Sequence, residues 1–248
     1  MRLKIGNSAL AILTLSLLGG FTANADGVVG GGWQTWNSSI LASPATGAYW
    51  NNQDPGDGDN ANIGFCLAGG GNCTISNPPG NIPYLSNGSG AAPVAGFSLT
   101  NTGTSDTAEL LVAITSNKSN DSFGWYSVVG GVPVQHPLFT GTQTGTTLLF
   151  TPSANYGFYL ISNGVGTFYT QTQYDSLGDN FEGFALFQQT AGSSYYLGVE
   201  DGGASGDRDF NDMVIHLSSV PEPASMALFG GGLVLMGAFI RRRKNSGK

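Results

Sequence analysis

The chain has 248 residues, of which 39 are glycine and only 10% are charged, while 11% are aromatic. Such a composition argues against a helical protein and, because aromatic residues supply core area, also against a disordered one. Between Asp26 and Val220 lie 15 of the 16 acidic residues but only two basic ones, Lys118 and Arg208. This charge excludes nucleic acid as a partner and favours cations, although an acidic surface that only keeps the protein soluble explains it equally well.

The first residues have the pattern of a signal peptide. Two basic residues within the first four positions precede an apolar run over residues 9–21, which is short for a membrane span. The triplet Ala23-Asn24-Ala25 then places small residues at the two positions that signal peptidase reads. We therefore predict a signal helix over residues 1–25, recognised by the secretion machinery and removed by signal peptidase before Asp26.

The chain contains two cysteines, Cys66 and Cys73. Export would place them in an oxidising compartment, and the glycine-rich segment between them is flexible enough to fold back. We predict a disulfide between them, which would stabilise the fold by roughly 2.5 kcal/mol. Zinc binding is disfavoured because a zinc site needs four ligands and no second pair is present.

Short apolar runs bounded by turn residues recur along the exported part, and no stretch has a helical period over 11 or more residues. Residues 108–116 have apolar side chains on both faces, which is typical of a central strand. We predict an all-β fold, an antiparallel β-sandwich of which a jelly roll is one form, as a single domain over residues 26–219. The predicted strands are 62–68, 95–100, 108–116, 123–129, 146–151, 156–162, 166–174, 183–189, 195–200 and 213–218.

The densest polar segment is an acidic loop over residues 198–212, between two predicted strands. Its alternating oxygen-bearing side chains suit calcium, which takes six to eight oxygen ligands. The segment is not an EF-hand, because the sixth position counted from Asp207 is Asp212 rather than glycine. A calcium site and a metal-free turn, in which these side chains bond the loop's own backbone, both remain open. The candidate ligands are Glu200, Asp201, Asp207, Asp209, Asn211 and Asp212.

This loop and the apolar strand after it resemble a domain of unknown function found in bacterial surface proteins. Asp207, Asp209, Asn211 and Asp212 match the motif of that domain. The resemblance implies a surface protein and assigns no activity to the motif. A second acidic loop over residues 54–60 has fewer ligands and is better explained as an exposed turn.

Catalytic patterns are weak, and we predict that the protein is not an enzyme. His136 and His216 belong to no triad or zinc arrangement. A carbohydrate-binding module for exopolysaccharide is the main alternative, and a polysaccharide-cleaving enzyme is a third. An exposed row of aromatic side chains would favour the module, and two facing carboxylates in a cleft would favour the enzyme. The residues concerned are Trp33, Trp36 and Trp50 for the module, and Asp175, Asp179 and Glu182 for the enzyme.

The C-terminal segment, residues 220–248, has three parts. Residues 224–240 carry no charge and would form a helix about 26 Å long, at the low end of a membrane span. The basic cluster Arg241, Arg242 and Arg243 stays in the cytoplasm, so the body faces out. Immediately before the apolar run stand Pro221, Glu222 and Pro223.

These three parts in this order resemble the PEP-CTERM sorting signal. The resemblance implies a Gram-negative bacterium, an exosortase that processes the tail, and a link to exopolysaccharide and the biofilm matrix. We therefore expect a transmembrane helix that holds the body in the periplasm as an inner-membrane intermediate, before the protein reaches the cell surface or the matrix. The predicted function is a surface-sorted matrix or adhesion protein with calcium as its candidate cofactor.

Overall fold

The computed structural model confirms an all-β protein built from two antiparallel sheets in a sandwich-like arrangement. All of the described strands lie within one compact unit, Asn24–Val220. For residues 32–37 and 81–86 the structure describes the backbone alone. The described residues are 26–30, 32–37, 81–86, 96–102, 105–113, 119–178, 181–188, 194–203 and 210–220, with single positions at 115, 206, 232 and 236.

The first sheet has the order β1-β4-β9-β6-β7, with β10 also paired to β9. Each of its pairings is antiparallel, and β6 and β7 form a hairpin whose tip is Gly130-Gly131. Both glycines have positive φ, which a two-residue hairpin turn requires. The strands are β1 (Gly27–Val29), β4 (Ser98–Thr100), β6 (Ser122–Val129), β7 (Val132–Thr140), β9 (Asn155–Ser162) and β10 (Gly166–Tyr169).

The second sheet has the order β2-β3-β11-β12-β13-β5-β8. Its central strands β12 and β13 are buried along most of their length, as expected for strands with neighbours on both sides. The strands are β2 (Gly32–Asn37), β3 (Asn81–Ser86), β5 (Asp106–Val112), β8 (Thr147–Phe150), β11 (Phe184–Gln188), β12 (Tyr195–Val199) and β13 (Met213–Ser219).

The core lies between the two sheets and is rich in aromatic side chains. Phe123 and Phe158 stack with their ring centroids 5.4 Å apart on the first sheet, and Leu197 and Ile215 face them from the second. Each fully buried side chain of this size contributes roughly 1.5–3 kcal/mol. This core accounts for the aromatic-rich composition, since many of its buried side chains are Phe or Tyr.

The structure corrects several predicted elements. The strand predicted over residues 166–174 ends at Tyr169, and a short 3₁₀ helix follows at Thr172–Tyr174. The strand predicted over 108–116 instead spans Asp106–Val112. Strands β1, β2, β3 and β7 were not predicted.

Several predictions fall outside the described residues. Among those residues, no helix is long and apolar enough to cross a bilayer. The predicted signal helix and the strand predicted over 62–68 lie elsewhere in the chain, and so does the predicted transmembrane helix over 224–240 apart from its single positions 232 and 236. Cys66 and Cys73, Pro221, Glu222 and Pro223, and Arg241, Arg242 and Arg243 also lie outside the described part.

Candidate metal centre

The candidate metal centre forms where two neighbouring strands of the second sheet meet the acidic loop. Glu200 directly follows β12, and Asp212 directly precedes β13. Because β12 and β13 are antiparallel neighbours, the end of one lies beside the start of the other. A bridge between Val199 and Asn211 closes the base of the loop. The fold therefore gathers residues from both ends of the loop at one edge of the sheet.

Carboxylate oxygens of Glu200, Asp201 and Asp212 all lie within 4.8 Å of one another. Two ligands on opposite sides of one calcium ion would be about 5 Å apart, because each calcium–oxygen distance is about 2.3–2.6 Å. The spacing therefore fits three ligands of a shared ion. It also fits a hydrogen-bonded turn, because the Asp201 backbone N–H donates to Asp212 Oδ2 at 2.6 Å.

A hydrogen bond at the buried Glu200 and the packing of Phe210 hold the loop in this shape. The Gly202 N–H donates to Glu200 Oε1 at 3.2 Å, and Glu200 itself is 1% exposed. Phe210 has a positive φ of 59°, which is rare for a residue with a side chain, and its ring stacks on Phe181 within the protein. Such backbone strain concentrates at functional sites. The buried Phe210 ring anchors the part of the loop that leads into Asn211.

Two further residues reach this centre from outside the loop. The Thr115 hydroxyl donates a hydrogen bond to Asp201 Oδ2. Asp121 is fully buried and lies beside Asp201. Burial, and after it the negative charge of Asp201, raises the pKa of Asp121 to about 7. Neither Asp121 oxygen has a hydrogen-bond partner of good geometry, although the Ser162 hydroxyl and the Asn163 backbone lie near it.

Topology explains why Asp121 lies here. Val112, at the end of β5, pairs with Val214 near the start of β13, so the chain leaves the second sheet at the edge that holds Asp212. It then crosses to the first sheet and enters β6 at Ser122. We name the four carboxylates Asp121, Glu200, Asp201 and Asp212 the acidic cluster.

The predicted ligands are thus partly accounted for. Glu200, Asp201 and Asp212 come together, and Asn211 lies at the loop base with 1% of its surface exposed. Asp207 and Asp209 lie outside the described residues. Asp121 and Thr115 were not predicted as site residues. Nothing in their local sequence marks them, because their proximity to the loop arises from the crossing between sheets.

The residues considered for the two alternatives have structural contacts where they are described. Asp175 accepts a hydrogen bond from the Tyr169 N–H at 2.6 Å. Glu182 is 2% exposed, accepts one from the Phe184 N–H, and has a pKa raised well above its usual range by burial. The structure does not describe Asp179, Trp50 or the side chains of Trp33 and Trp36.

Comparison with known families identifies the class of protein. A model described as the PEP-CTERM protein-sorting motif matches residues 219–244, which include Pro221, Glu222, Pro223 and the arginine cluster. The chain is therefore an exported, surface-sorted protein of a Gram-negative bacterium that passes through a membrane-anchored intermediate and is processed by exosortase.

A second family model matches part of the body that precedes this sorting motif. The model, described as a domain of unknown function, DUF4114, matches residues 150–219. The matched part includes Glu200, Asp201 and Asp212 but not Asp121. No curated protein and no solved structure matches the chain.

Proposed function

We propose that the exported body is a non-enzymatic calcium-binding β-sandwich that works in the cell-surface matrix or in adhesion. The observation that carries this proposal is the acidic cluster, in which three carboxylates share a 4.8 Å neighbourhood and a fourth, Asp121, is buried beside them. Clustered carboxylates repel one another, and a bound cation is one way to offset that repulsion.

The chemistry of the donors favours calcium over other cations. All candidate ligands are carboxylate, amide or hydroxyl oxygens, which hard cations prefer. Calcium tolerates irregular loops with six to eight ligands, whereas magnesium requires a smaller octahedral shell and keeps its waters. With Asn211, Asp207 and Asp209 as further ligands from the same loop, the set is large enough for calcium.

Surface sorting supports a role outside the cell. Calcium sites in extracellular modules bind with dissociation constants of about 10⁻⁴–10⁻³ M. A body with such a site would order its loop after export and could present it to a matrix partner. Exopolysaccharide is the candidate partner because the resemblance to the PEP-CTERM signal implies a link to the biofilm matrix and because calcium can bridge two sets of oxygens.

Calorimetry on the exported protein, purified in detergent, tests the proposal. We expect calcium to release or absorb binding heat, and calcium at 100 times its dissociation constant to raise the free energy of unfolding by about 2.7 kcal/mol. Magnesium should have a smaller effect. Asp212→Asn should abolish most of the response, because it removes a charged ligand while keeping the side-chain shape.

Glu109→Gln is the matched control. Glu109 lies on β5 of the same sheet, outside the acidic cluster, and its carboxylate lies 3.8 Å from His216 Nδ1. This variant removes the same charge and should keep the full calcium response. If wild-type protein gives no calcium heat and its melting temperature is indifferent to chelator, the loop is a hydrogen-bonded turn and the proposal is wrong.

A further inference from the structure

A second pair of buried carboxylates lies at the other end of β5. Asp106 is the first residue of β5 and Asp26 directly precedes β1; the two are 3% and 2% exposed. Together with Tyr156, Tyr195 and Leu217 they line a small cavity. We name Asp26 and Asp106 the aspartate pair. It is separate from the acidic cluster and plays no part in the proposed calcium site.

Asp26 accepts several hydrogen bonds, which hold it in place. Its Oδ1 accepts from the Thr102 N–H at 3.0 Å and from the Thr102 hydroxyl at 3.2 Å. Its Oδ2 accepts from the Tyr156 hydroxyl at 3.0 Å, and the Tyr195 hydroxyl donates to its backbone carbonyl. Three donors therefore satisfy both oxygens of the Asp26 carboxylate.

Asp106 is less completely satisfied, although the side chains of Ser219, Tyr156 and Asp26 lie within its reach. Its Oδ2 is buried without a hydrogen-bond partner, and burial, followed by the charge of Asp26, raises its pKa to about 7. Two carboxylates side by side in a buried site repel each other when both are charged, and a proton or a positive partner can compensate them. The only two basic residues between Asp26 and Val220 are Lys118, three positions before Asp121, and Arg208, four positions before Asp212. Both are adjacent in sequence to the acidic cluster, not to the aspartate pair.

We propose that signal-peptide removal creates the missing cation, because the new α-ammonium group of Asp26 binds the carboxylates of Asp26 and Asp106. Hydrolysis of the Ala25–Asp26 peptide bond consumes one water, leaves a carboxylate on Ala25 and leaves an amine on Asp26 that is protonated at neutral pH. Only three covalent bonds separate this nitrogen from the carboxylate carbon of Asp26. An ammonium has three donors, whereas the amide it replaces has one.

Removal of the signal peptide would then contribute to the stability of the folded body. Before cleavage, the pair can avoid two buried charges only if Asp106 holds a proton. After cleavage, the α-ammonium compensates the pair at neutral pH, and the body gains stability only when it has been released from the signal peptide. This inference rests on the predicted cleavage before Asp26 and does not depend on calcium.

Amine labelling of the exported protein tests the inference. Chymotrypsin releases an N-terminal peptide, residues 26–33, that contains no lysine, so any acyl label on it reports the α-amine alone. We expect labelling at pH 8 to be at least tenfold slower in the native protein than in urea. We also expect its pH dependence to report an α-amine pKa above the ordinary 7.7–8.0.

Variants distinguish an α-ammonium group that is paired with Asp106 from an α-amine that is only buried. Asp106→Asn should speed native-state labelling severalfold and lower the α-amine pKa, whereas Asp121→Asn and added calcium should change neither. An N-terminus other than Asp26 would overturn the inference. So would native labelling as fast as in urea, or a folded Asp106→Asn protein with unchanged labelling. Calcium heats measured on the same samples test the acidic cluster separately, so either proposal can fail alone.

Discussion

Two groups of buried or half-buried carboxylates lie at opposite ends of β5, about 20 Å apart for a strand of seven residues. The acidic cluster holds four carboxylates, and its donors include two backbone N–H groups and the Thr115 hydroxyl. The aspartate pair holds two, and three donors satisfy one of them. Both ends contain an aspartate whose pKa is raised to about 7, Asp121 and Asp106.

The difference lies in the counter-charge that each group requires. In our proposals the acidic cluster binds a divalent ion, whereas the aspartate pair, with one member satisfied by donors, binds a single positive charge. A raised pKa alone does not distinguish these cases, because burial is its largest cause at both ends. The number and direction of the surrounding hydrogen-bond donors distinguish the two cases.

The largest expected effect is the pH dependence of calcium binding. Asp121 keeps its proton below pH 7 in the metal-free site, and calcium must displace that proton. Affinity should therefore fall roughly tenfold per pH unit below 7, or about 100-fold between pH 7 and pH 5. Calorimetry should show this loss in wild type and in Asp106→Asn, but much less of it in Asp121→Asn. An equal pH dependence in all three proteins would remove Asp121 from the site.

The second prediction concerns stability in the presence of chelator. A carboxylate with a raised folded-state pKa binds its proton more tightly when folded, so stability falls as the pH rises from about 4 to about 7. Asp121 should contribute a fall on the order of 2 kcal/mol. Asp106 should contribute a similar fall only while the signal peptide is attached.

Urea unfolding of the mature protein at a series of pH values measures these contributions. In Asp121→Asn the fall should be smaller than in wild type, with a remaining fall from the buried Glu182, whose pKa is also raised, while Asp106→Asn should keep the wild-type slope. If Asp106→Asn flattens the curve of mature protein, Asp106 still holds a proton there and the α-ammonium does not neutralise the pair.

The third prediction concerns a variant, Gly206→Ala, that changes the shape of the acidic cluster without removing a ligand. A Cβ atom at Gly206 would lie 2.0 Å from Glu200 Oε1, so Gly206→Ala must displace that side chain. We expect calcium affinity to fall about tenfold, equal to about 1.4 kcal/mol. Gly27→Ala is the control, because its Cβ would meet only Thr100 at 3.8 Å. Equal calcium affinity in both variants would mean that Glu200 is not a ligand.

Sequence patterns predicted much of this fold for identifiable reasons. Strand β12 was predicted within one residue of its bounds, and β13 likewise, because each is an apolar run between clear turn residues. Strand β7 was missed because Pro133 and Pro137 indicate turns. It tolerates both prolines as the edge strand of its sheet, where one side of the strand needs no ladder hydrogen bonds.

The site was predicted only where its residues are close in sequence. Glu200, Asp201 and Asp212 share one loop, and their spacing indicated an oxygen-rich centre. Asp121 is 80 positions before Asp201, and the aspartate pair joins positions 26 and 106. Such proximity depends on strand order and on crossings between sheets, which local pattern does not encode.

The smallest expected effect tests whether the two ends of β5 are independent. Tyr195→Phe removes the hydroxyl that donates to the Asp26 carbonyl and leaves that buried oxygen without this donor. We expect a loss of about 1 kcal/mol in the free energy of unfolding, with calcium affinity unchanged.

In double mutants, Tyr195→Phe and Asp121→Asn should have additive effects, because the sites are far apart and share no partner. Tyr195→Phe and Asp106→Asn should be coupled by 0.5 kcal/mol or more, because both act on Asp26. Coupling of similar size in both cycles would mean that the acidic cluster and the aspartate pair respond as one unit, and the contrast between them would then have to be abandoned.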